Sequence, residues 1–129
     1  MIRSTSVRRE CAHLRNGERV VVEQARGLLL VMMDIDPEHE DDFNRWYNEE
    51  HMPERLAISG FVRARRFRAV SGEPRYLALY ELDSPDVLQS EEYLHFLEGR
   101  GETEWTQRVL ARVQNFVRNV YVEVLEPAP

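Results

Sequence analysis

The residues best suited to chemistry lie in one short stretch of the 129-residue chain, residues 43–53. Helical spacing of three and four places its aromatic and ionisable side chains on one broad stripe, which holds Phe43, Trp46, Tyr47, Glu50 and His51. Because an imidazole exchanges protons near neutral pH, His51 is the candidate general acid or base. A histidine at a helix end can also cap the last carbonyl groups, and the spacing alone does not decide between these roles.

Aromatic residues offer walls for a pocket around this histidine, but each has a second explanation. An aromatic stripe on a helix usually packs against a sheet, which is the favoured interpretation of Phe43. For Trp46 and Tyr47, core packing and substrate binding are about equally supported. Tyr80 and Trp105, further along the chain, would wall an aromatic pocket or make core and dimer contacts equally well.

Four arginines crowd into the strand-like run that follows, and they are candidates for binding an anion. Side chains alternate along a strand, so Arg63 and Arg65 point to one side and Arg66 and Arg68 to the other. Most surface arginines are solvated or pair with acidic side chains, whereas a guanidinium facing a pocket holds a carboxylate through two parallel hydrogen bonds. We select Arg65 as the substrate clamp, although the sequence does not show which side faces a pocket.

Several kinds of chemistry are disfavoured by what the sequence lacks. All 17 basic side chains are arginine, which excludes a side-chain Schiff base and a phosphate-loop lysine. No metal site is expected, because the acidic corner of Asp34, Asp36 and His39 is loose and the histidines lack ligand spacing. The histidines are His13, His39, His51 and His95. We therefore expect no cofactor, with haem ligation by His51 or His95 as the alternative.

The side chains of the stripe are positioned by secondary-structure elements, and the first two elements that the sequence predicts are a strand and a helix. The run over residues 28–35 is continuously apolar and of strand length. Asp36-Pro37 is a typical helix start, a capping residue followed by proline at the first helical position. Since Pro53 is disfavoured in a helix interior, the helix should end near Glu50 or His51.

The rest of the chain continues with short strands and helices. After a turn over residues 54–59, the runs over residues 61–70 and 75–82 are expected to pair as a hairpin. Ser84-Pro85 repeats the helix start, and a helical pattern extends to about Arg112 with a break at residues 99–101. The final run, residues 115–125, alternates as a strand does.

The order strand, helix, strand, strand, helix, strand is that of a ferredoxin-like α+β domain, a four-stranded antiparallel sheet with its helices on one face. Two helices cover only one side of such a sheet, yet the runs over residues 28–35 and 75–82 are apolar on both sides. The second face needs a cover, and the same face of another copy is the simplest one. We expect a homodimer that forms through the sheet face.

The composition predicts where the domain begins and in which environment the protein works. Residues 1–26 carry six Arg and three Glu with one strand-like run over residues 19–23, so we expect an N-terminal arm there and the domain over residues 27–129. The net charge of −6 argues against nucleic-acid binding. The longest apolar run is too short to cross a membrane. The single cysteine, Cys11, gives no sign of an oxidising compartment, so a cytoplasmic protein is expected.

A pattern around His51 resembles one known superfamily. It consists of Phe43, Tyr47, Glu50, His51 and Pro53, followed by Ser59-Gly60-Phe61. This pattern resembles the dimeric α/β-barrel superfamily, most nearly its EthD-like branch, in which a tryptophan typically stands at the place of Tyr47. The resemblance implies protomers whose sheets close into a shared barrel, each with a pocket between sheet and helices. Relatives include small oxygenases, isomerases, cyclases, decarboxylases and dehydratases of aromatic or polyketide-like compounds, commonly without a metal or organic cofactor, and haem-binding members.

Three functions are consistent with these features. The leading hypothesis is a small cofactor-independent enzyme that isomerises, dehydrates or decarboxylates an anionic aromatic or polyketide-like compound, with His51 as acid or base and Arg65 as clamp. The second is a non-catalytic protein that binds a small ligand or serves in assembly, in which His51 merely caps a helix. The third is a haem-binding or oxygenase member of the same fold.

Overall fold

The structure, a computed structural model, describes residues 9–15, 18–23, 25–97 and 103–124, with side chains described from residue 25 onward. Its strands are β1 (Arg9–Arg15), β2 (Glu18–Glu23), β3 (Gly27–Asp34), β4 (Phe61–Arg68), β5 (Tyr76–Leu82) and β6 (Gln114–Val122). Its α-helices are α1 (Glu40–Trp46), α2 (Met52–Leu56), α3 (Glu91–His95) and α4 (Glu104–Leu110). None of the described helices combines the length and the apolar character needed to span a membrane.

Strands β3 to β6 form one antiparallel sheet in the order β4-β5-β3-β6. With helices packed on one face, this is the ferredoxin-like arrangement, and the prediction of this fold is confirmed. Strand β4 ends at Arg68 rather than at Val70. Beyond it, the Ala69 N–H closes the hairpin to β5 by donating to the Arg75 carbonyl at 2.7 Å.

The inner face of the sheet carries the core. Alternate side chains of β3 and β5 are buried there against the stripe of the first helix. The strands contribute Leu29, Met33, Tyr76, Ala78, Tyr80 and Leu82, and the helix contributes Phe43, Trp46 and Tyr47. Core packing is therefore one role of all three stripe aromatics, since their exposed fractions are 1–2%.

The outer face of the sheet is apolar as well. Its residues on β3 and β5 are half-buried, and Phe67 on β4 is 47% exposed. The half-buried residues of this face are Leu28, Leu30, Met32, Leu77 and Leu79. Within the described part of the chain, no helix packs on this side. The apolar character of both faces that the sequence predicts is thus present in the folded protomer.

The first helix does not end at Glu50 or His51, contrary to prediction. From α1 the chain passes through a π-helical segment, Tyr47–His51, directly into α2. In this wider turn the Met52 N–H donates to the Tyr47 carbonyl, five residues back, and Pro53 occupies the first turn of α2. The extra residue relieves the clash that a proline makes in a regular helix, so the helix continues to Leu56.

The second helical region is divided into short segments by its capping residues. Ser84 Oγ accepts the Asp86 N–H at 3.1 Å at the start of a 3₁₀ turn, Pro85–Gln89, as the Ser84-Pro85 pattern predicts. Ser90 caps α3 and Thr103 caps α4 in the same way. Each cap starts a new segment, which explains why one long helix does not form. The predicted break at residues 99–101 lies outside the described residues.

Strands β1 and β2 form an antiparallel hairpin that is a separate two-stranded sheet. The strand-like run predicted over residues 19–23 coincides with β2. The hairpin precedes β3 by only a short connection, because β2 ends at Glu23 and β3 begins at Gly27.

Two glycines with positive φ give a matched test of the turn that leads from α2 into β4. A Cβ on Gly60 (φ +97°) would lie 2.4 Å from Val87 Cγ2, whereas a Cβ on Gly72 (φ +102°) would meet nothing within 4 Å. Gly72→Ala should lower the free energy of unfolding by about 1 kcal/mol through backbone strain alone. Gly60→Ala should cost about 1–3 kcal/mol more, because stiff Val87 must move. Urea denaturation measures both, and equal losses would contradict the tight contact.

Candidate functional site

His51 is the last residue of the π-helical segment and is held there by aromatic rings. Its imidazole stacks on Trp46 with ring centroids 4.3 Å apart, and it meets the edge of Tyr47 at 5.2 Å. Nδ1 is buried and has no hydrogen-bond partner among the described residues. Because the helix continues past it, His51 does not cap a helix end, and one ring nitrogen is left available for a ligand.

A hydrogen-bonded network fixes the ring on which His51 stacks. Trp46 Nε1 donates to Thr106 Oγ1 at 2.9 Å, and that hydroxyl donates to Glu50 at 2.9 Å. Thr103, the capping residue of α4, also donates its hydroxyl to Glu50. Glu50 therefore joins the π-helical segment to α4 and is a structural anchor.

Two buried tyrosines lie next to each other in the core, and one of them, Tyr47, contacts the imidazole. The Tyr47 hydroxyl donates to Met33 Sδ at 4.0 Å, and the Tyr80 hydroxyl has no hydrogen-bond partner of good geometry among the described residues. Burial raises the pKa of Tyr47 to about 12, and burial together with the neighbouring Tyr47 phenol raises the pKa of Tyr80 well above its usual value. Both phenols are therefore neutral hydrogen-bond donors at physiological pH.

The charges of two arginines, one on β4 and one on α2, act on His51. The Arg66 guanidinium, on β4, lies 4.2 Å from the ring centroid of Tyr47 and donates to the neutral Asn44 Oδ1 at 2.8 Å. The Arg55 guanidinium, on α2, lies 4.4 Å from the centroid of Phe96. Arg55 Nη1 is buried and has no partner among the described residues. Aromatic faces hold both charges in place and leave donors for a ligand.

These surroundings keep His51 neutral. Burial, followed by the charges of Arg55 and Arg66, lowers the pKa of His51 to about 3. The sequence predicts an imidazole that exchanges its proton near neutral pH, whereas in the free protein these surroundings keep the imidazole neutral there. Because the imidazole is neutral and both guanidiniums are charged, the electrostatic potential around His51 is positive. A bound anion would offset the two charges and raise the basicity of the imidazole.

The structure brings together some of the predicted site residues and separates others. Trp46 and Tyr47 contact His51, and Tyr80 is a neighbour of Tyr47 in the same core cluster. Trp105 lies elsewhere, on α4, where its Nε1 donates to Asp42 at 3.1 Å and the Arg45 guanidinium lies 5.5 Å from its ring centroid. Trp105 therefore supports the contact between α1 and α4 and does not reach His51.

Arg65, the predicted clamp, lies on the outer face of the sheet. It pairs with Glu81 at 3.1 Å and lines a surface cavity of about 390 Å³ beside Leu79 and Tyr121. Arg66 takes the inner position, because the register places it opposite the buried Ala78. Arg63 shares the outer side with Arg65, and Arg68 lies opposite Tyr76 at the end of β4. Arg66 is thus the arginine of β4 that lies on the helix side of the sheet beside Tyr47.

Arg55 and Glu54 were missed by the sequence reasoning. Both lie in the part of the helix that Pro53 was expected to exclude. Glu54 Oε1 is buried without a partner among the described residues, and burial and the nearby Glu50 charge raise the pKa of Glu54. The spacing of Arg55, four residues after His51, would have indicated a shared helix face had the helix been continued through the proline.

Comparison with known proteins places the chain in a family without an assigned function. A family model described as "Domain of unknown function (DUF4286)" matches residues 27–121, from the start of β3 almost to the end of β6, and the chain belongs to this family. No protein of curated function matches the chain.

Solved structures share the fold at low identity. A dimeric ferredoxin-like protein from an uncultured marine organism is 19% identical, with a TM-score of 0.59, over 83% of this chain and 94% of that one. A DABB family protein with a ferredoxin-like fold from Mesorhizobium loti is 15% identical, with a TM-score of 0.52, over 78% and 99%. The haem degrader MhuD from Mycobacterium tuberculosis, solved with two haems in its active site, is 15% identical, with a TM-score of 0.55, over 79% and 99%. The likeness concerns the fold, and the closer likeness to EthD-like proteins stays a prediction.

The buried neutral imidazole predicts a pH dependence of stability. His51 binds its proton near pH 3 in the folded protein and near pH 6.5 when unfolded, so between these values the unfolded chain holds more protons. The free energy of unfolding should therefore fall as the pH drops from about 6.5 to about 3, by up to about 1.4 kcal/mol per pH unit from this group. Urea denaturation of wild type and His51→Gln measures the effect. Parallel stability curves for the two proteins would contradict it.

Proposed function

We propose that the protein is a small enzyme that binds an anionic aromatic or enolisable compound beside the π-helical segment and moves a proton with His51 as the base. The observation that carries this proposal is a pair of buried polar atoms without described partners, His51 Nδ1 and Arg55 Nη1. The two residues lie four apart on a continuous helical segment, and the charge of Arg55 acts on His51, so the two atoms share one locality. Unpaired buried polar atoms are costly, and their grouping supports a ligand that pairs with them.

Substrate would reach the site from the side of α2. His51 and Arg55 are half-buried, whereas Tyr47 and Tyr80 are sealed inside the core. The anionic group binds between the guanidiniums of Arg55 and Arg66, and the ring of the substrate packs on the aromatic side chains that line the site. The negative charge of the substrate raises the pKa of His51 at the moment when a base is needed.

His51 then moves a proton on the bound substrate. Nδ1 takes a proton from the carbon next to the carbonyl group, and the electron pair moves onto the carbonyl oxygen as an enolate. The guanidiniums of Arg55 and Arg66 stabilise that oxygen. The imidazolium returns the proton to another carbon in an isomerisation, or to a departing hydroxide in a dehydration. In a decarboxylation no proton is removed first: carbon dioxide leaves, the N–H of the neutral imidazole donates its proton to the carbanion, and the imidazole regains a proton from water.

Haem binding is the alternative to which MhuD gives precedent. The residues around His51 in this chain do not fit a haem well. The imidazole face is covered by Trp46 at 4.3 Å, and the interior beyond it is filled by Tyr47 and Tyr80, with exposed fractions of 2% and 1%. A haem would have to displace these rings from the core, so no step of the proposal passes through one.

Hydrogen exchange on phenylpyruvate, an anionic, aromatic and enolisable probe, tests the proton transfer. Wild type should accelerate the exchange of its C3 protons with deuterium, as followed by ¹H NMR in D₂O at neutral pH. His51→Gln should lose about 100-fold of the acceleration, because general bases contribute at least that much. Binding without acceleration would favour the non-catalytic alternative. Unchanged acceleration by a folded His51→Gln protein would refute the role of His51.

The two arginines on opposite sides of β4 allow a matched test of the anion site. Arg66→Met removes the inner charge and keeps the length of the stem. It should weaken phenylpyruvate binding about tenfold or more, or ~1.4 kcal/mol, by titration calorimetry at pH 7. Arg65→Met, the control on the outer face, should change the affinity by less than about twofold. Equal effects of the two variants would show that the anion does not bind on the helix side of the sheet.

We also propose that the outer face pairs with the same face of a second copy. The half-buried leucines of β3 and β5 form an apolar surface there, and the matching protein from the uncultured marine organism is described as dimeric. Leu79→Asp places a charge within this surface and should weaken dimerisation about tenfold or more in sedimentation experiments. Val70→Asp, at a fully exposed loop residue, is the control. A monomeric wild type, or a Leu79→Asp dimer of unchanged affinity, would contradict the proposal.

A further inference from the structure

Strand β6 is an edge strand of the four-stranded sheet and is unusually open. It is nine residues long, and no described strand pairs with its outer side. Apolar residues along it are exposed: Phe116 and Val122 by 55%, and Tyr121 by 47%. Long apolar edge strands are normally covered, because their free backbone groups pair with any strand that approaches.

The free backbone donors of β6 follow from the ladder it forms with β3. The Glu123 N–H donates to the Arg26 carbonyl at 2.7 Å, so these two residues form a hydrogen-bonded pair. Such pairs alternate with non-bonded ones along an antiparallel ladder. The N–H groups of Val120 and Val122 therefore point away from β3, toward the open side.

The β1–β2 hairpin is a strand pair that itself needs a partner. It forms a sheet separate from the main one, and a lone two-stranded hairpin is marginally stable in water. It lies outside the matched family region, which begins at residue 27. Residues 1–26 carry six Arg and three Glu, a net +3, while residues 27–129 carry eleven Arg and twenty acids, a net −9. The hairpin segment and the domain thus attract each other.

The hairpin does not pair with β6 of its own chain. In the described part of the chain β1 and β2 form a sheet of their own, and β6 has β3 as its one strand neighbour. The connection is short, because β2 ends at Glu23 and Arg26 is already paired with Glu123. The step from Glu23 to Arg26 spans at most ~10.5 Å when fully extended, which is little more than the two strand spacings, ~9.6 Å, that separate β3 from the outer side of β6. A second copy meets no such limit.

We propose that the β1–β2 hairpin of one copy pairs with the β6 edge of a second copy. The exchange satisfies the outward N–H groups of Val120 and Val122, covers the exposed apolar residues of β6 and brings the basic hairpin segment to an acidic partner. It is an interaction at the sheet edge, distinct from pairing of the outer faces, and it does not depend on the proposed enzymatic activity.

Paramagnetic broadening tests the exchange directly, because Cys11 in β1 is the sole cysteine and accepts a spin label. Spin-labelled protein without ¹⁵N is mixed with ¹⁵N-labelled Cys11→Ser protein and allowed to exchange subunits. The amide signals of residues 118–122 should broaden selectively in the mixture. The proposal would be overturned by an absence of broadening or by broadening that is confined to other residues. It would also be overturned if broadening occurred only when the label and the isotope share one chain.

A proline in β6 provides the second test in the full chain. Val120→Pro removes an outward N–H and no bond to β3, since proline is tolerated on an edge strand where its nitrogen faces outward. Val120→Thr keeps the N–H and is the matched control. Val120→Pro should raise the self-association Kd about tenfold or more over the control in sedimentation equilibrium, with β-sheet circular dichroism unchanged. Equal Kd values for the two variants would overturn the proposal.

Discussion

The way in which the first helix accommodates Pro53 is the constraint on which the site depends. A regular helix would press the proline ring against the carbonyl four residues earlier. The π-helical turn inserts one residue, which shifts the phase of everything after it by about 100°. That shift seats His51 on Trp46 and lets α2 continue far enough to carry Arg55 to the rings of Tyr93 in α3 and of Phe96, the residue after α3. The catalytic proposal rests on this one irregular turn.

The charge distribution inside the site is opposite to that of the chain as a whole. The protein carries a net charge of −6, yet the groups acting on His51 are two guanidiniums. Their stabilisation comes from aromatic faces and from the Asn44 amide in place of carboxylates. A carboxylate at either position would have neutralised the site. Of the nearby acids, Glu50 is bonded to Thr103 and Thr106, and burial raises the pKa of Glu54, so the described residues leave positive potential beside His51.

The sequence predicted the order of elements, the strand faces and the capping residues, because these follow from local spacing and turn chemistry. It did not predict the choice between Arg65 and Arg66, since both fit an alternating strand. That choice depends on the register with β5, where a bulge between Phe61 and Arg63 shifts the pairing. It also missed the low pKa of His51, because burial and the approach of two distant arginines arise only in the folded chain.

Leu79 and Tyr80 are consecutive residues of β5 that face opposite ways, one to the open apolar surface and one to the sealed interior beside Tyr47. The outer apolar surface and the core around the proposed site are thus separated by a single strand. An adjustment of β5 that changes packing on one side displaces a side chain on the other. On the proposals made above, changes in the surface for a second copy and changes in ligand preference would be mechanically linked, and compensating substitutions should occur in pairs across the strand.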